Sequence, residues 1–321
     1  MAYMTNTRSL VESSLLAGLA VMLFLASHFL PVIGVAFSFL CPAPLVILGL
    51  RHNTGHAFAG LLAASILVLM ILGPVGALFF VLGFGVLGVG LGYLAKTNES
   101  AVEIMMYGIL VSLGSKLLLM VIASKLTGIN PFSLEPAEMN EIIDKVFGFY
   151  SSTGMAGENL EEARAQIKQT LRIIPLVFPA ILTMASAVDC YLSYVVSRVV
   201  LRRTSSISLP ALPGFDHWRF PKNIFWALLV SILLSFAGMS GQEWNMLAKV
   251  GTNLRLIINM LFLIQGMSLC WYFLKSRGIN RILGVVVLVF MILVPIISQI
   301  VILLGIIDLW FDLRSRKRRS R

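Results

Sequence analysis

Residues 56–95 read HAFAGLLAASILVLMILGPVGALFFVLGFGVLGVGLGYLA, forty positions without one Asp, Glu, Lys or Arg. About 20 apolar residues cross a bilayer as a helix. This stretch therefore holds enough for two crossings, near 56–73 and 75–95. Strands of a membrane barrel would alternate apolar and polar side chains, whereas this run is apolar on every face. The rest of the chain repeats the pattern. Apolar runs lie near 10–30, 32–50, 102–126, 172–200, 222–240 and 253–274, and a ninth stretch covers 282–310. Of 321 residues, 58% are hydrophobic and 12% charged, too few charges to cover a soluble domain of this size. The expected fold is all-α: one integral membrane domain over 1–321, with eight spanning helices and a Pro-broken C-terminal hydrophobic hairpin. The first run, Leu10 to Leu30, exceeds a signal-peptide core and lacks a clear small-x-small cleavage site, so it is expected to stay as a helix.

The basic residues set the orientation. With the N-terminus in the cytoplasm, seventeen of the 25 Lys and Arg fall inside, seven fall outside and Lys116 lies within the membrane. That is the positive-inside pattern, and the net charge of +10 is read through it, not as a nucleic-acid footprint. Six of the inner charges crowd the tail, 311–321. As one helix, 282–310 would run about 43 Å against a hydrocarbon core of about 30 Å, and would leave the tail outside. A break near Pro295 returns it to the cytoplasm; the alternative is that one earlier segment does not span.

Two polar connections interrupt the apolar runs. The extracytoplasmic insertion 127–170 holds seven of the fifteen acidic residues and three basic ones. Met139, Ile142, Ile143, Val146, Phe147 and Tyr150 recur at helical spacing, and Leu160, Ala163, Ile167 and Leu171 form a second stripe behind Asn159 and Glu162. Two amphipathic helices follow, as a surface hairpin or as a lid over an outward-facing pocket. The cytoplasmic loop 201–222 mixes Arg202, Arg203, Arg219 and Lys222 with Phe215, Trp218 and Phe220, and Pro210, Pro213 and Pro221 make it irregular. Phe215, Trp218, Arg219 and Phe220 are candidates for contact with lipid headgroups or a cytoplasmic partner.

Few residues offer chemistry. Lys116 and Asp189 each lie well inside an apolar helix, where isolated charges are costly and usually face a partner or cavity. Their depths along the fifth and sixth helices match, so an ion pair is geometrically open to them. It is either structural or part of a ligand- or proton-linked site. Gly83, Gly85 and Gly88 spell G-x-G-x-x-G, but no strand precedes them and no βαβ unit surrounds them. Gly88 and Gly92 read instead as a close-packing step between helices. His52 and His56 share a helix face without a third ligand, so no metal is expected. Cys41, Cys190 and Cys270 have no metal or redox spacing and read as packing residues. His28, Asn259, Gln265 and Gln299 suit interhelix hydrogen bonds. No nucleophile elbow, zinc-protease helix or Walker loop is present, so neither an enzyme nor an ATPase is expected, and no cofactor.

Three stretches carry a family resemblance. They are Arg8–Ala20 (RSLVESSLLAGLA) with Pro42–Arg51 (PAPLVILGLR), Leu212–Pro221 (LPGFDHWRFP), and Gly305–Arg314 (GIIDLWFDLR). Together they resemble the YybS-like family of uncharacterised bacterial membrane proteins over nearly the whole chain. That resemblance implies the bacterial cytoplasmic membrane. The first half, 8–126, is also similar to the S-components of energy-coupling-factor transporters. Those bind vitamins or metal-related micronutrients from the outer side and dock through small residues of the first helix on a shared transmembrane subunit. Ser13, Ser14, Ala17, Gly18 and Ala20 correspond here, while the larger helix count and the outer insertion depart from that pattern. The resemblance implies a small-molecule ligand and a transmembrane coupling subunit. The other reading is a membrane-embedded scaffold with no transport activity, working through its loop and tail.

Overall fold

The computed structural model describes residues 2–30, 33–127, 160–205, 207, 209–238 and 245–314. The expected amphipathic helix at 139–150 and the tail from 315 onward lie outside the described residues. Among the described residues the regular elements are helices, without a strand. The chain divides into two compact units, Met1–Glu135 with Leu182–Leu212, and Pro136–Ile181 with Pro213–Arg321. By length and composition six helical stretches can cross a bilayer, or seven with one bent pair. The longest is Thr54–Thr97, at 44 residues. The polytopic all-α bundle is thus the fold.

The first unit contains α1 (Ala2–Phe29), α2 (Gly34–Leu40), α3 (Ala43–Arg51), α4 (Thr54–Phe80), one π-helical turn (Val81–Gly85), α5 (Val86–Thr97), α6 (Ala101–Thr127) and the C-terminal part of α7 (Leu160–Thr204). The apolar stretch 56–95 doubles back. Gly73 adopts φ 76° and ψ −175° inside α4, directly before Pro74. Glycine takes a positive φ without steric cost, and proline removes a backbone donor. The return is visible where Gly85 meets Leu61: a Cβ on the glycine would stand 2.3 Å from the leucine Cδ1. The segments predicted near 56–73 and 75–95 are therefore partners across a turn. Gly88 and Gly92 bring α5 against α3; a Cβ on Gly88 would lie 2.8 Å from both the Pro42 carbonyl and the Leu45 Cβ. Ala17, Ala20 and Phe24 of α1 pack with Leu61, Ala64 and Phe80, the two phenylalanine rings 5.2 Å apart. The outward side chains are apolar too, Met70 being 79% exposed, as a lipid solvent requires.

The second unit contains the N-terminal part of α7, a 3₁₀ turn (Phe215–His217), α8 (Asn223–Ala237), α9 (Met246–Ser276), α10 (Arg281–Leu293) and α11 (Pro295–Phe311). The second amphipathic stripe of the insertion begins α7, which runs unbroken from Leu160 to Thr204 through Pro175 and Pro179. Asn253 of α9 bonds into its backbone: it accepts from Ala180 N–H at 2.8 Å and donates to the Leu176 carbonyl at 2.7 Å. The amide thus inserts into the i→i−4 ladder between Leu176 and Ala180, beside Pro179. Gly266 of α9 and Gly305 of α11 let those helices touch backbone to backbone, Gly305 against the Phe262 carbonyl.

The last apolar stretch breaks where expected. Val294 is extended (φ −95°, ψ 110°), the conformation favoured before proline, and α10 and α11 are bent by 104°. Lys275, before α10, and Arg314, after α11, both contact Asp216. Leaving and returning to one residue is incompatible with a single crossing that ends on the opposite face.

Candidate functional site

Three polar clusters stand out within the units. The first is the intramembrane charge pair. Lys116 Nζ of α6 lies 2.7 Å from Asp189 Oδ2 of α7, with side chains only 13% and 10% exposed. Lys116 also donates to Ser112 Oγ at 2.6 Å, one turn earlier on the same face. The surroundings are tight. The buried Cys190 thiol points at the Met105 carbonyl at 3.7 Å, and Ser186 Oγ donates to the Leu182 carbonyl at 2.8 Å. Ser115 Oγ donates to the Leu82 carbonyl in the π-helical turn. Water attenuates charge attraction, and a dry interior does not. Desolvation opposes forming such a pair, yet removing one partner strands the other charge at about 3–5 kcal/mol.

The second cluster closes one end of the first unit. Arg51, ending α3, donates to a Glu12 carboxylate oxygen and, through Nη2, to the Thr204 carbonyl at 2.8 Å. His52 Nε2 stands 3.2 Å from the other Glu12 oxygen, and Lys96 Nζ donates to the His52 carbonyl at 3.3 Å. The His52 and His56 rings are 5.6 Å apart. Among the described residues no three His, Cys, Asp or Glu side chains gather around a metal-sized site. Sequence reasoning missed Glu12 and Arg51 because each sits at the end of an apolar run, where a charge looks ordinary. Of the small α1 residues, Ala17 is buried against Gly60, while Ser14 is exposed and bonds its own helix at Val11. A Cβ on Gly18 would meet nothing within 4 Å. Ser13 Oγ is buried without a hydrogen-bond partner.

The third cluster is a clasp in the second unit. It joins two of the stretches that carried the family resemblance. Prolines make 213–221 irregular, so its carbonyls must find donors elsewhere. Arg314 supplies two, donating to the Asp216 carbonyl at 2.5 Å and to the Trp218 carbonyl at 3.2 Å. Ser268 Oγ donates to the Phe215 carbonyl at 2.5 Å, and Phe220 N–H donates to Gln265 Oε1 at 3.3 Å. Trp218 Nε1–H turns back onto the Pro213 carbonyl at 2.9 Å, and its ring meets Phe215 edge-on at 5.5 Å. Arg314 also faces Asp308 at 3.1 Å, both residues being buried. Asp312 makes the bend possible with a left-handed conformation (φ 43°), which short polar side chains tolerate. Outside this core Arg219 pairs with Asp312. Burial by itself would raise the Asp216 carboxyl. The Lys275 ammonium bonded to it at 2.8 Å, with backbone hydrogen bonding and His217 nearby, holds it below the ordinary carboxylate range. Beside the clasp, a cleft of about 250 Å³ is lined by Trp271, Leu274, Lys275, Ile279, Arg281 and Gly284.

These features belong to a recognisable family. The family described as "Predicted membrane protein (DUF2232)" matches residues 18–309. The chain belongs to it. It is 25% identical over 313 residues to the uncharacterized protein YybS of Bacillus subtilis (strain 168), covering 98% of this chain and 99% of that relative. No solved structure matches it. The YybS-like resemblance read from the sequence therefore holds across the chain, and this family member is a multi-pass membrane protein with a lipid bilayer as its surroundings.

Proposed function

We propose that this protein resides in the bacterial cytoplasmic membrane with both termini in the cytoplasm and binds a small charged or polar solute within its first unit for uptake. It works in the manner of an S-component, with neither an ATPase nor a catalytic centre of its own. The observation that carries the reading is the Lys116–Asp189 pair, two opposite charges 2.7 Å apart inside apolar helices. Intramembrane ionisable groups commonly mark solute or ion pathways. A charged solute exchanges with one member of the pair and is neutralised by the other. The α1 face at Ser14, which is exposed, and Gly18, where a Cβ would meet nothing within 4 Å, supplies room for a transmembrane coupling subunit. The S-component reading rests on the sequence resemblance of residues 8–126 and not on membership of the family.

Native mass spectrometry of protein extracted gently from its own membranes tests this. The expected result is a stoichiometric small-molecule adduct that is lost from the Asp189→Asn variant. An apo mass throughout, with a second protein co-purifying, favours the other reading: a membrane-embedded scaffold. That alternative is favoured by the clasp, whose outer edge presents His217, Arg219 and Asp312 beside a cleft bearing Trp271, Lys275 and Arg281.

A further inference from the structure

Below the ion pair, α7 carries two hydroxyls that behave unlike their neighbours. Ser193 and Ser197 are fully buried, and neither Oγ has a hydrogen-bond partner. A helical serine ordinarily bonds its own backbone one turn back. Ser186 does so on this helix, and Ser205 does so just past its end. Ser193 and Ser197 do not. Asp189, Ser193 and Ser197 follow one another at intervals of four, which aligns them on one helix face. From Asp189 to Ser197 is about 12 Å, and to Thr204 about 22 Å. The Thr204 carbonyl is where Arg51 bonds. The file thus runs from the mid-membrane carboxylate to the Glu12–Arg51–His52 cluster. At that end Ser13 Oγ and Arg51 Nε are also buried without hydrogen-bond partners.

Buried polar groups without protein partners are characteristically satisfied by ordered water, which needs two or more such groups to hold it. Four of them along one path, with a carboxylate at its head and ionic groups at its mouth, meet that condition. We propose that Asp189, Ser193 and Ser197 line a narrow hydrated path, open at the Glu12–Arg51–His52 end, along which water and protons reach the Lys116–Asp189 pair. The path is independent of whether a solute binds at the pair. It makes that pair accessible from the side of the membrane that bears Arg51.

Cysteine accessibility tests the path. In a background with Cys41, Cys190 and Cys270 replaced by alanine, the variants Ser193→Cys and Ser197→Cys are each exposed to a small membrane-impermeant cationic methanethiosulfonate. The reagent is applied to intact cells or to inverted vesicles. Thr97→Cys, exposed at the same end of the unit, is the open control. Ser186→Cys, whose native hydroxyl is satisfied beyond Asp189, is the dry control. The expected result is labelling of both path positions from the Thr97 side alone, at least tenfold faster than at position 186. Labelling no faster than at position 186, or labelling from the opposite side, overturns the proposal. Radiolytic footprinting of the unsubstituted protein gives a reading free of folding effects. Modification of Cys190 and Tyr194, both buried beside the path, is expected, and background-level modification contradicts it.

Discussion

Lys116–Asp189 and Asp308–Arg314 are both buried ion pairs, and they are held in opposite ways. Arg314 touches Asp308, two loop carbonyls and, through its own carbonyl, the Tyr272 hydroxyl. Its position is fixed by the backbone of the irregular loop, whose Trp218 carbonyl it shares with Ser268. Lys116 and Asp189 have each other and one serine, and the helix face below Asp189 carries hydroxyls left without protein partners. A charge that also bonds loop carbonyls, as Arg314 does through Nη1 and Nη2, serves architecture. A charge whose main partner is another charge can change partners at lower cost, which is what binding or proton exchange demands.

The contrast can be broken at its strongest point. Replacing Arg314 by alanine leaves Asp308 buried without its ion-pair partner and removes the donor to the Asp216 carbonyl, and should cost about 3–5 kcal/mol. Thermal denaturation of the purified protein, with limited proteolysis around 213–222, reads that loss. Arg314→Lys should recover little, because an ammonium cannot span the same acceptors with a planar fork. In the first unit a clear packing effect is expected at Gly88. A valine there meets the Pro42 carbonyl and should cost about 1–3 kcal/mol, whereas Gly18→Val should be near neutral by the same melting assay. Arg219→Ala removes a half-exposed pair with Asp312 and should change stability by less than about 1 kcal/mol.

The smallest effect concerns pH. Because the Asp216 carboxyl is held below its ordinary range, its contribution is present above the unfolded value of about 3.9. It is lost only as pH falls through the lower folded value. Hydrogen exchange at 214–220 should therefore show no Asp216-dependent loosening between pH 8 and 5. Loosening should appear on acidification below about 4, and the Asp216→Asn variant should lack that acid limb.

What the sequence made legible follows from the same physics. The apolar runs and the break at Pro295 could be read directly, because a bilayer imposes length and polarity on every crossing. Lys116 and Asp189 stood out because each is a lone charge in such a run, and matching depths suggested their contact. The clasp was hidden although all its residues were in view. Asp216 and Arg314 lie 98 residues apart, and the bonds run to backbone carbonyls, which leave no mark in a sequence. Phe215, Trp218 and Phe220 suggested a surface for lipid or partner; in the structure this segment is anchored by Ser268, Gln265 and Arg314. Ser193 and Ser197 went unread because serine in a membrane helix normally bonds its own backbone, and only the fold reveals that these two do not.

A double-mutant cycle on Lys116 and Asp189, read as thermal stability in one detergent, tests most directly the claim that the first unit is organised around a mutually dependent charge pair. Asp189→Leu alone should be the most damaging, Lys116→Leu next, and the double variant closer to the unsubstituted protein than either. The expected coupling is about 2 kcal/mol or more, within the range seen for contacting residues. Additive losses, with the double variant the least stable of all, would show that the two charges stand independently and would contradict the account.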